Sequence, residues 1–432
     1  MIHTAQQLVS ASKPEHTGHP DHNAVINGFG LVRQPGTVLF GVGRRDTIAS
    51  AVASLGDEVL ICSDARMVQT PEFEEIISDL KKRDVGVHVY SNVEPDLPRT
   101  NVEDLIEQVG QEQINVVLGL GGGSCLDMAK IATVMLTYGG DVQSYYGEFK
   151  VPGSTIPLVT VPTTAGTGAE VTCISVIYEP ASDMKVGVAS PHLEASATIV
   201  DPEFTLTCPP GLTAATGADA LSHLIEAFTA TAKNPGNGAL ENVLYVGKNT
   251  MADMHCREGI RLVATSLERI MANPNDVEAR SATMRAALHA GYAINTTGTA
   301  GIHALQAPIG ARTHTPHGVG VGVLLPYVMR YNLPVRTPEF AHMADLLGVF
   351  EAAQDDLANA HAAIERVEEI LATLEIPSSL DDLGLKREDI PTVAANALRA
   401  TRLTANNPRE LSEESMIHIL VRAHAGDRSW WS

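Results

Sequence analysis

Apolar and polar positions follow a regular pattern in the first half of the chain, where short apolar runs alternate with helical stretches. Four runs have the length and composition of buried strands, over residues 58–63, 85–90, 115–120 and 158–162. Apolar residues spaced three and four apart predict helices near 71–82 and 102–110. Strands that alternate with helices are typical of a parallel sheet covered on both faces, so we predict an α/β domain over residues 31–200.

The second half of the chain has a different pattern. After about residue 201, long segments carry apolar residues three and four positions apart, with few strand-like runs. These segments predict helices over 213–230, 276–295, 338–350, 355–374 and 412–425. We therefore expect an all-helical domain over residues 201–432. The first residues have weak periodicity and several turn formers, so we predict an N-terminal extension over residues 1–30.

Composition and charge restrict the partners of the chain. The formal net charge is -21, and no long Lys/Arg cluster interrupts it. Because such a surface repels phosphates, we expect neither a nucleic-acid nor a membrane partner. No stretch reaches the roughly 18–20 continuous apolar residues of a membrane span, and the N-terminus does not resemble a signal peptide. The five cysteines lack CxxC spacing, which favours a reduced, cytoplasmic setting.

A glycine-rich turn is the first candidate for nucleotide binding. Gly121, Gly122, Gly123 and Ser124 follow a predicted strand and open a predicted helix. Such a turn lets backbone amides approach a pyrophosphate, and the helix N-terminus adds partial positive charge. The run is not the Gly-x-Gly-x-x-Gly fingerprint, and an ordinary tight strand–helix turn would also explain it.

Two further segments fit a nucleotide. Thr163, Thr164 and Thr167 lie in a hydroxyl-rich turn after a strand, and they can donate to phosphate, ribose or nicotinamide, or form an ordinary loop. Asp64 ends a predicted strand, where an acid can bind ribose hydroxyls and repel the extra phosphate of NADP. An N-cap role would also explain Asp64, and Arg66 could accommodate that phosphate, so both NAD and NADP stay open.

Four residues in the second half could hold a metal. Asp219 and His223 are four apart, which places both side chains on one face of a helix. His303 and His317 follow about eighty residues later, among small residues that permit close approach. One carboxylate and three imidazoles suit a divalent transition metal that polarises a carbonyl or acidifies an alcohol. Each residue alone would more often be a satisfied polar side chain.

With these motifs in view, the chain resembles the iron-containing (group III) alcohol dehydrogenase family. Four motifs occur in family order: Gly-Gly-Gly-Ser-x-x-Asp, Pro-Thr-Thr-x-Gly-Thr-Gly-x-Glu, Thr-Gly-x-Asp-Ala-Leu-x-His and Pro-His-Gly. The resemblance runs from about Gly36 to the Asn406–Arg409 segment. It implies a Rossmann-like α/β dinucleotide domain followed by an all-α metal domain, as in the dehydroquinate synthase-like superfamily.

The resemblance also implies residue roles. It makes Asp219, His223, His303 and His317 the ligands of Fe(II), although Zn(II) would satisfy the same donors. It implies cofactor contacts at Asp64, Gly122, Gly123, Ser124, Asp127, Thr163, Thr164, Thr167 and Lys185. We assign catalytic roles to His303, His317 and His314. Many relatives carry a histidine four residues after the third metal ligand, near the substrate, where this chain has Ala307. Gln306 or His314 could compensate for its loss.

The function that we predict is hydride transfer between NAD(P) and a primary alcohol or aldehyde, in a homodimer or higher homo-oligomer. One alternative is a related oxidoreductase acting on an oxo- or hydroxy-acid, of the maleylacetate reductase or transhydrogenase kind. Another is a lyase similar to dehydroquinate synthase that retains its NAD. A third, from a different class, is a non-enzymatic metal- or nucleotide-binding protein.

Overall fold

A computed structural model describes residues 29–181, 184–236 and 241–431 of the 432-residue chain. Most of the extension predicted over residues 1–30 lies outside the described residues. Phe29 and Gly30 are described, and the Phe29 carbonyl accepts a hydrogen bond from the Thr250 N–H at 3.0 Å. The chain therefore enters the described fold beside a segment of its own second half.

The central element is a six-stranded sheet in the order β1-β9-β6-β4-β2-β3, in which every pairing is parallel. Its strands are β1 Thr37–Phe40, β2 Glu58–Cys62, β3 Gly86–Tyr90, β4 Val116–Gly121, β6 Leu158–Pro162 and β9 Ala197–Val200. The parallel sheet and its four predicted strands are confirmed. The short strands β1 and β9 were not predicted, because four residues are too few for a pattern.

Helices cover both faces of this sheet. They are α1 Ile48–Ala53, α2 Pro71–Lys81, α3 Arg99–Val109 and α4 Gly123–Tyr138. Side chains alternate along each strand, so Leu60 packs with α3 and α4, while Ile61 packs with α1 and α2. All six residues of β4 are buried, which explains why this strand is a continuous apolar run.

A second, three-stranded sheet was not predicted. It consists of β5 Gly147–Glu148, β7 Ile174–Glu179 and β8 Met184–Ala189, in the order β5-β8-β7. Strands β7 and β8 pair antiparallel. Buried and half-buried positions alternate along β7, whereas β8 has four half-buried residues followed by two buried ones, so the two strands share no common pattern.

The second half of the described chain is helical, as predicted. Its helices are α5 Pro210–Thr229, α6 Thr250–Ala272, α7 Val277–Thr297, α8 Gly301–Thr313, α9 His317–Leu346, α10 Asp356–Thr373, α11 Ile390–Leu398, α12 Thr401–Thr404 and α13 Glu413–Ala425. Strand β9 ends ten residues before α5 begins, and the domain boundary near residue 200 stays a prediction. None of the described helices is long and apolar enough to cross a membrane.

The helix predicted over 338–350 corresponds to the part of α9 that follows a kink at Arg336, whereas the longer part before the kink was not predicted. The observed α9 begins 21 residues earlier, at His317, and ends at Leu346, with non-helical backbone at Arg336. Three prolines interrupt the pattern, and most of the helix before Arg336 is buried on all sides. A helix that is apolar all round has no stripe for spacing to reveal.

Candidate metal centre and cofactor cleft

The four candidate metal ligands come from three helices that meet inside the second half. Asp219 and His223 lie on α5, which is buried along nearly its whole length. His303 lies in the first turn of α8, and His317 is the first residue of α9. Gly318 permits this meeting, because a Cβ at that position would overlap the carbonyl oxygen of Ala215.

The ligand atoms of Asp219, His303 and His317 all lie within 4.8 Å of one another, which suits one metal ion, and His223 lies beside Asp219. The Nε2 atoms of His223, His303 and His317 each lie 3.7 Å from Asp219 Oδ1. Tetrahedral ligands bound at about 2.1 Å lie about 3.4 Å apart, close to these separations. Among the described residues, neither Asp219 Oδ1 nor His303 Nε2 has a hydrogen-bond partner, although both atoms are buried. Buried polar atoms without partners are rare, so the donor set fits a divalent metal.

Electrostatics in the absence of metal agree with this donor set. Burial opposes the charge of Asp219, but the three imidazoles outweigh it and hold the pKa of that carboxyl below its usual range. Burial lowers the pKa of His223 and of His317. Both rings are therefore neutral near pH 7 and offer a lone pair to a cation.

Glu226 is a residue that the sequence patterns did not single out. It lies on α5, seven residues after Asp219, and its carboxylate accepts from His303 Nδ1–H at 2.6 Å. It also accepts from the N–H groups of Ala300 and Ile302, at 3.0 and 2.7 Å. This carboxylate orients the imidazole and leaves Nε2 free for a metal. The i, i+4, i+7 spacing of Asp219, His223 and Glu226 is the signal that could have found it.

Glu226 also changes the charge of His303. Burial disfavours the imidazolium, but the Glu226 and Asp219 carboxylates outweigh it and raise the pKa of His303 to about 9. Without metal, His303 therefore holds a proton on the nitrogen that faces the other ligands. A metal ion must displace that proton when it binds.

The two nucleotide-binding candidates lie against each other. A Cβ at Gly123 would lie 2.7 Å from Thr167 Cγ2, and one at Gly122 would lie 3.5 Å from Thr164 Cγ2. Gly121 has a φ of +156°. Helix α4 begins without a side-chain cap, so its first N–H groups are not satisfied by a side chain. An uncapped helix N-terminus of this kind suits an anion, and the pyrophosphate contact stays a prediction.

Several predicted cofactor residues also have structural contacts. Asp64 accepts from the N–H groups of Arg66 and Met67, both at 2.9 Å, which is the capping role considered as its alternative. Asp127 accepts from the Val176 N–H at 3.1 Å and thereby joins α4 to β7. Lys185 pairs with Asp96 at 2.5 Å. The cofactor contacts of these residues stay predictions.

One cleft of about 350 Å³ connects the two halves of the fold. It is lined by residues of the α4 turn and β8 on one side and by the metal quartet on the other, including Gly123, Ser124, Asp127, Thr167, Lys185, Asp219, His223, His303 and His317. Its size is that of a small-molecule site. The buried Thr163 Oγ1 has no hydrogen-bond partner among the described residues and lies outside this lining.

The residues proposed to replace the missing histidine do not reach the cleft. Ala307 lines it, but His314 is exposed at the end of α8, in left-handed backbone with a φ of 52°. Gln306 is buried against Gly320 of α9. The structure therefore does not bring His314 or Gln306 together with the quartet. Gln306 points away from the cleft because consecutive residues of a helix point in different directions, and His314 follows the last turn of α8.

Comparison with known proteins gives a consistent result. Residues 35–202 match the family model described as iron-containing alcohol dehydrogenase, and residues 213–424 match that of the Fe-containing alcohol dehydrogenase family, C-terminal. Long-chain-alcohol dehydrogenase 1 of Geobacillus thermodenitrificans is 32% identical over 89% of this chain and 94% of its own length. NAD-dependent methanol dehydrogenase of Bacillus methanolicus is 32% identical, over 93% and 98%. The crystal structure of a 1,3-propanediol oxidoreductase superposes with a TM-score of 0.85, at 30% identity, covering 91% of this chain and 100% of that one.

Proposed function

The chain belongs to the iron-containing alcohol dehydrogenase family, and from this premise we propose that it interconverts a primary alcohol and its aldehyde at the Asp219–His317 metal centre. It is an NAD-linked oxidoreductase that acts on CH–OH groups and their carbonyl products. The family uses a divalent metal. The finer assignments of metal, substrate and residue roles are our proposal. The observation that supports them is the position of the quartet. Its three histidine Nε2 atoms each lie 3.7 Å from Asp219 Oδ1, and its residues line the same cleft as the α4 turn.

Each group of residues has a role in this proposal. Asp219, His223, His303 and His317 hold Fe(II), and Zn(II) would suit the same donors. When bound, the metal supplies a Lewis acid for the alcohol or carbonyl oxygen. Glu226 keeps His303 oriented, and the apolar lining at Ala307 excludes water from one side of the substrate.

The cofactor is proposed to lie along the opposite wall of the cleft. The uncapped N-terminus of α4 at Gly122, Gly123 and Ser124 would bind the pyrophosphate. Thr167 and Lys185 line the same wall, nearer the quartet. Asp64 lies beside Gly121, and its carboxylate supports NAD over NADP through the ribose hydroxyls.

The proton of the alcohol needs a separate account, because Ala307 is not titratable. Outside the quartet, the titratable side chains in the described lining are Asp96, Asp127, Lys185, Arg402 and Tyr245. Burial raises the pKa of Tyr245 well above its usual value, so its hydroxyl keeps its proton. The first three have ion-pair partners, and arginine does not give up its proton. We therefore propose that the proton exchanges directly with solvent in the cleft, and we do not extend a catalytic role to the exposed His314.

Two properties of the whole molecule complete the proposal. Leu39, Phe40 and Val42 are exposed apolar side chains at the edge strand β1 and just after it, which supports a homodimer or higher homo-oligomer. All five cysteines are buried and free, which supports a reducing, cytoplasmic setting.

The test of the metal assignment is to compare Asp219→Ala and His303→Ala with a control, His192→Ala, which removes an exposed histidine outside the cleft. We expect both centre variants to lose bound metal and alcohol-dependent NADH formation together, while the control keeps both. Thermal unfolding of the metal-free proteins would show whether each variant still folds. A centre variant that lacked metal but formed NADH at the wild-type rate would refute the proposal.

A further inference from the structure

Arg402 contributes a guanidinium to the cleft, on the short helix α12. Its planar group stacks on the ring of Tyr245, 4.4 Å from the ring centroid. Its Nη1 atom lies 3.0 Å from the position that a Cβ on Gly298 would occupy. Arg402, Tyr245 and Gly298 all line the cleft, and Arg402 is half-buried. The stacking fixes the position of the guanidinium while leaving its N–H donors available.

The charges of the cleft leave Arg402 without a partner. Three carboxylates line the cleft in the described chain, and each has a role already. Asp96 pairs with Lys185 at 2.5 Å, Asp127 lies 3.5 Å from the Lys130 ammonium, and Asp219 faces the imidazoles. Among the described residues, none makes an ion pair or a hydrogen bond with the Arg402 side chain. In a chain of net charge -21, an unpaired guanidinium in a cleft indicates that a ligand supplies the anion.

A second cation, Lys233, contacts the backbone of Tyr245. The Lys233 ammonium donates to the Tyr245 carbonyl at 3.1 Å. Burial, and next the charge of Arg402, lower the pKa of Lys233, whereas Glu148 acts in the opposite direction. Lys233 is exposed and does not line the cleft, so its repulsion of Arg402 is a secondary contribution to the positive charge near Tyr245. An anion bound there would relieve that repulsion.

Arg402 and the metal centre line the same cleft, so one ligand could contact both. Gly298 precedes His303 by five residues, so their Cα atoms are at most about 18 Å apart. The N–H groups of Ala300 and Ile302 already donate to Glu226, so the start of α8 does not offer an alternative anion site. The described lining in this part of the protein also includes the polar side chains of Asn295, Thr299 and Asn396 and several apolar ones, namely Ile294, Ala304, Ala307, Pro308 and Leu403.

From these contacts we infer that the substrate is a short aliphatic aldehyde, or its alcohol, that carries a carboxylate or sulfonate paired with Arg402. The inference rests on the proposed function, because the other end of the substrate is the carbonyl that is reduced. In that reaction NADH transfers a hydride to the aldehyde carbon, a solvent proton reaches the oxygen, and NAD⁺ and the alcohol result. Carboxylates and sulfonates are planar or trigonal acceptors that an arginine binds with two N–H donors.

The experiment compares matched substrates in three proteins: wild type, Arg402→Gln and Arg399→Gln. Arg399 is exposed and outside the cleft, so its variant removes the same charge three residues away. The substrates are 4-oxobutanoate and 3-oxopropane-1-sulfonate, each compared with butanal. Steady-state reduction gives kcat and KM separately, together with the KM of NADH.

We expect wild type and Arg399→Gln to prefer an anionic aldehyde over butanal by at least about tenfold in kcat/KM. In Arg402→Gln that preference should fall by about 10- to 100-fold, mainly through KM, since a charge-assisted hydrogen bond is lost. Arg402→Lys should restore part of it. The carboxylate and sulfonate arms show which anion fits better. A wild type that prefers butanal would overturn the inference, as would an Arg402→Gln variant in which only the KM of NADH rises.

Calorimetry with succinate separates this inference from the proposed function. Succinate carries the anion but no reducible aldehyde, so its binding does not depend on turnover. If no aldehyde were reduced but succinate binding still required Arg402, the proposed function would fall and the anion site would stand. If butanal were reduced but succinate bound equally well to wild type and to Arg402→Gln, the anion site would fall and the function would stand.

Discussion

Replacing Glu226 with glutamine tests how the metal centre is held together. The carboxylate accepts three hydrogen bonds, from His303 Nδ1–H and from the N–H groups of Ala300 and Ile302. Glutamine has nearly the same shape, but only one of its two terminal atoms can accept. The variant therefore removes an acceptor and a charge without creating a cavity.

Two arrangements are open to the new amide, and each has a cost. With its oxygen toward His303, the NH2 group faces the Ile302 N–H, and that buried donor loses its acceptor. An unsatisfied buried donor costs about 1–3 kcal/mol. With the amide reversed, its NH2 group faces His303 Nδ1, which must then accept, so the imidazole proton moves to Nε2 and blocks the metal-binding nitrogen. The loss of an outer-shell partner of this kind weakens metal binding by about 10- to 100-fold, or about 1.4–2.7 kcal/mol.

The assay is a competition between the protein and a chelator of known affinity for Zn²⁺, at pH 7.5, supported by thermal unfolding of the metal-free protein. We expect Glu226→Gln to bind Zn²⁺ about 10- to 100-fold more weakly than wild type. The Zn²⁺ affinity of Glu226→Asp should lie between those of Glu226→Gln and wild type. Glu278→Gln is the matched control, because Glu278 is an exposed partner of Arg269 in an ion pair of little energetic weight. If Glu226→Gln unfolded at a lower temperature but bound Zn²⁺ within twofold of wild type, Glu226 would be a structural residue only.

Two other variants test the cleft and the buried charges. Ala307→His should give the pH profile of kcat/KM an additional ionisation near pH 6.5, because it adds an imidazole to the cleft, and should lower turnover of a six-carbon alcohol relative to ethanol by about tenfold. Glu170→Gln should raise the unfolding temperature at pH 8 but not at pH 4.5. Burial raises the pKa of Glu170 from 4.5 to about 7. The contribution of Glu170 to folding stability is therefore complete below the pKa that it has in the unfolded chain, and it is lost as the pH rises through 7. The gain is at most about 3 kcal/mol.

Each of these variants has a control that separates the alternatives. Ala307→Phe fills the cleft without adding a titratable group, so an identical pH profile in the two variants would contradict the role given to the imidazole. Glu75→Gln removes an exposed carboxylate, and its unfolding temperature should differ from wild type by a constant amount across the pH range. A pH-independent difference for Glu170→Gln would mean that the pKa of this carboxyl is the same in the folded and unfolded proteins.

The sequence predicted those parts of the fold that have a strong local pattern. Strand β4 is buried on both faces and leads into a glycine turn, so its apolar run and the start of α4 were both readable. The part of helix α9 before Arg336 could not be predicted, because its prolines and its burial on all sides remove the amphipathic pattern. The antiparallel pairing of β7 with β8 depends on contacts with the rest of the cleft, which no local pattern contains.

The same distinction applies to the candidate site. Asp219, His223, His303 and His317 could be proposed together from their residue types and surroundings, and the family motifs then supported all four. Glu226 could not be distinguished from a solvated glutamate, because its function depends on α8, which begins 75 residues later. Arg402 could be recognised only when the fold showed that the cleft offers it no carboxylate.

The division of the metal ligands between α5 and the later helices has a consequence for biosynthesis. His317 follows His223 by 94 residues, so at 5–20 residues per second the ribosome adds it about 5–20 s later. Until His303 is added, 80 residues after His223, the nascent chain presents two of the four proposed ligands and can hold an ion only weakly. The strands of the parallel sheet are all synthesised before the first ligand. With these proposed ligands, we expect metal insertion to be a late step in the maturation of this protein, after the strands of the parallel sheet have been synthesised.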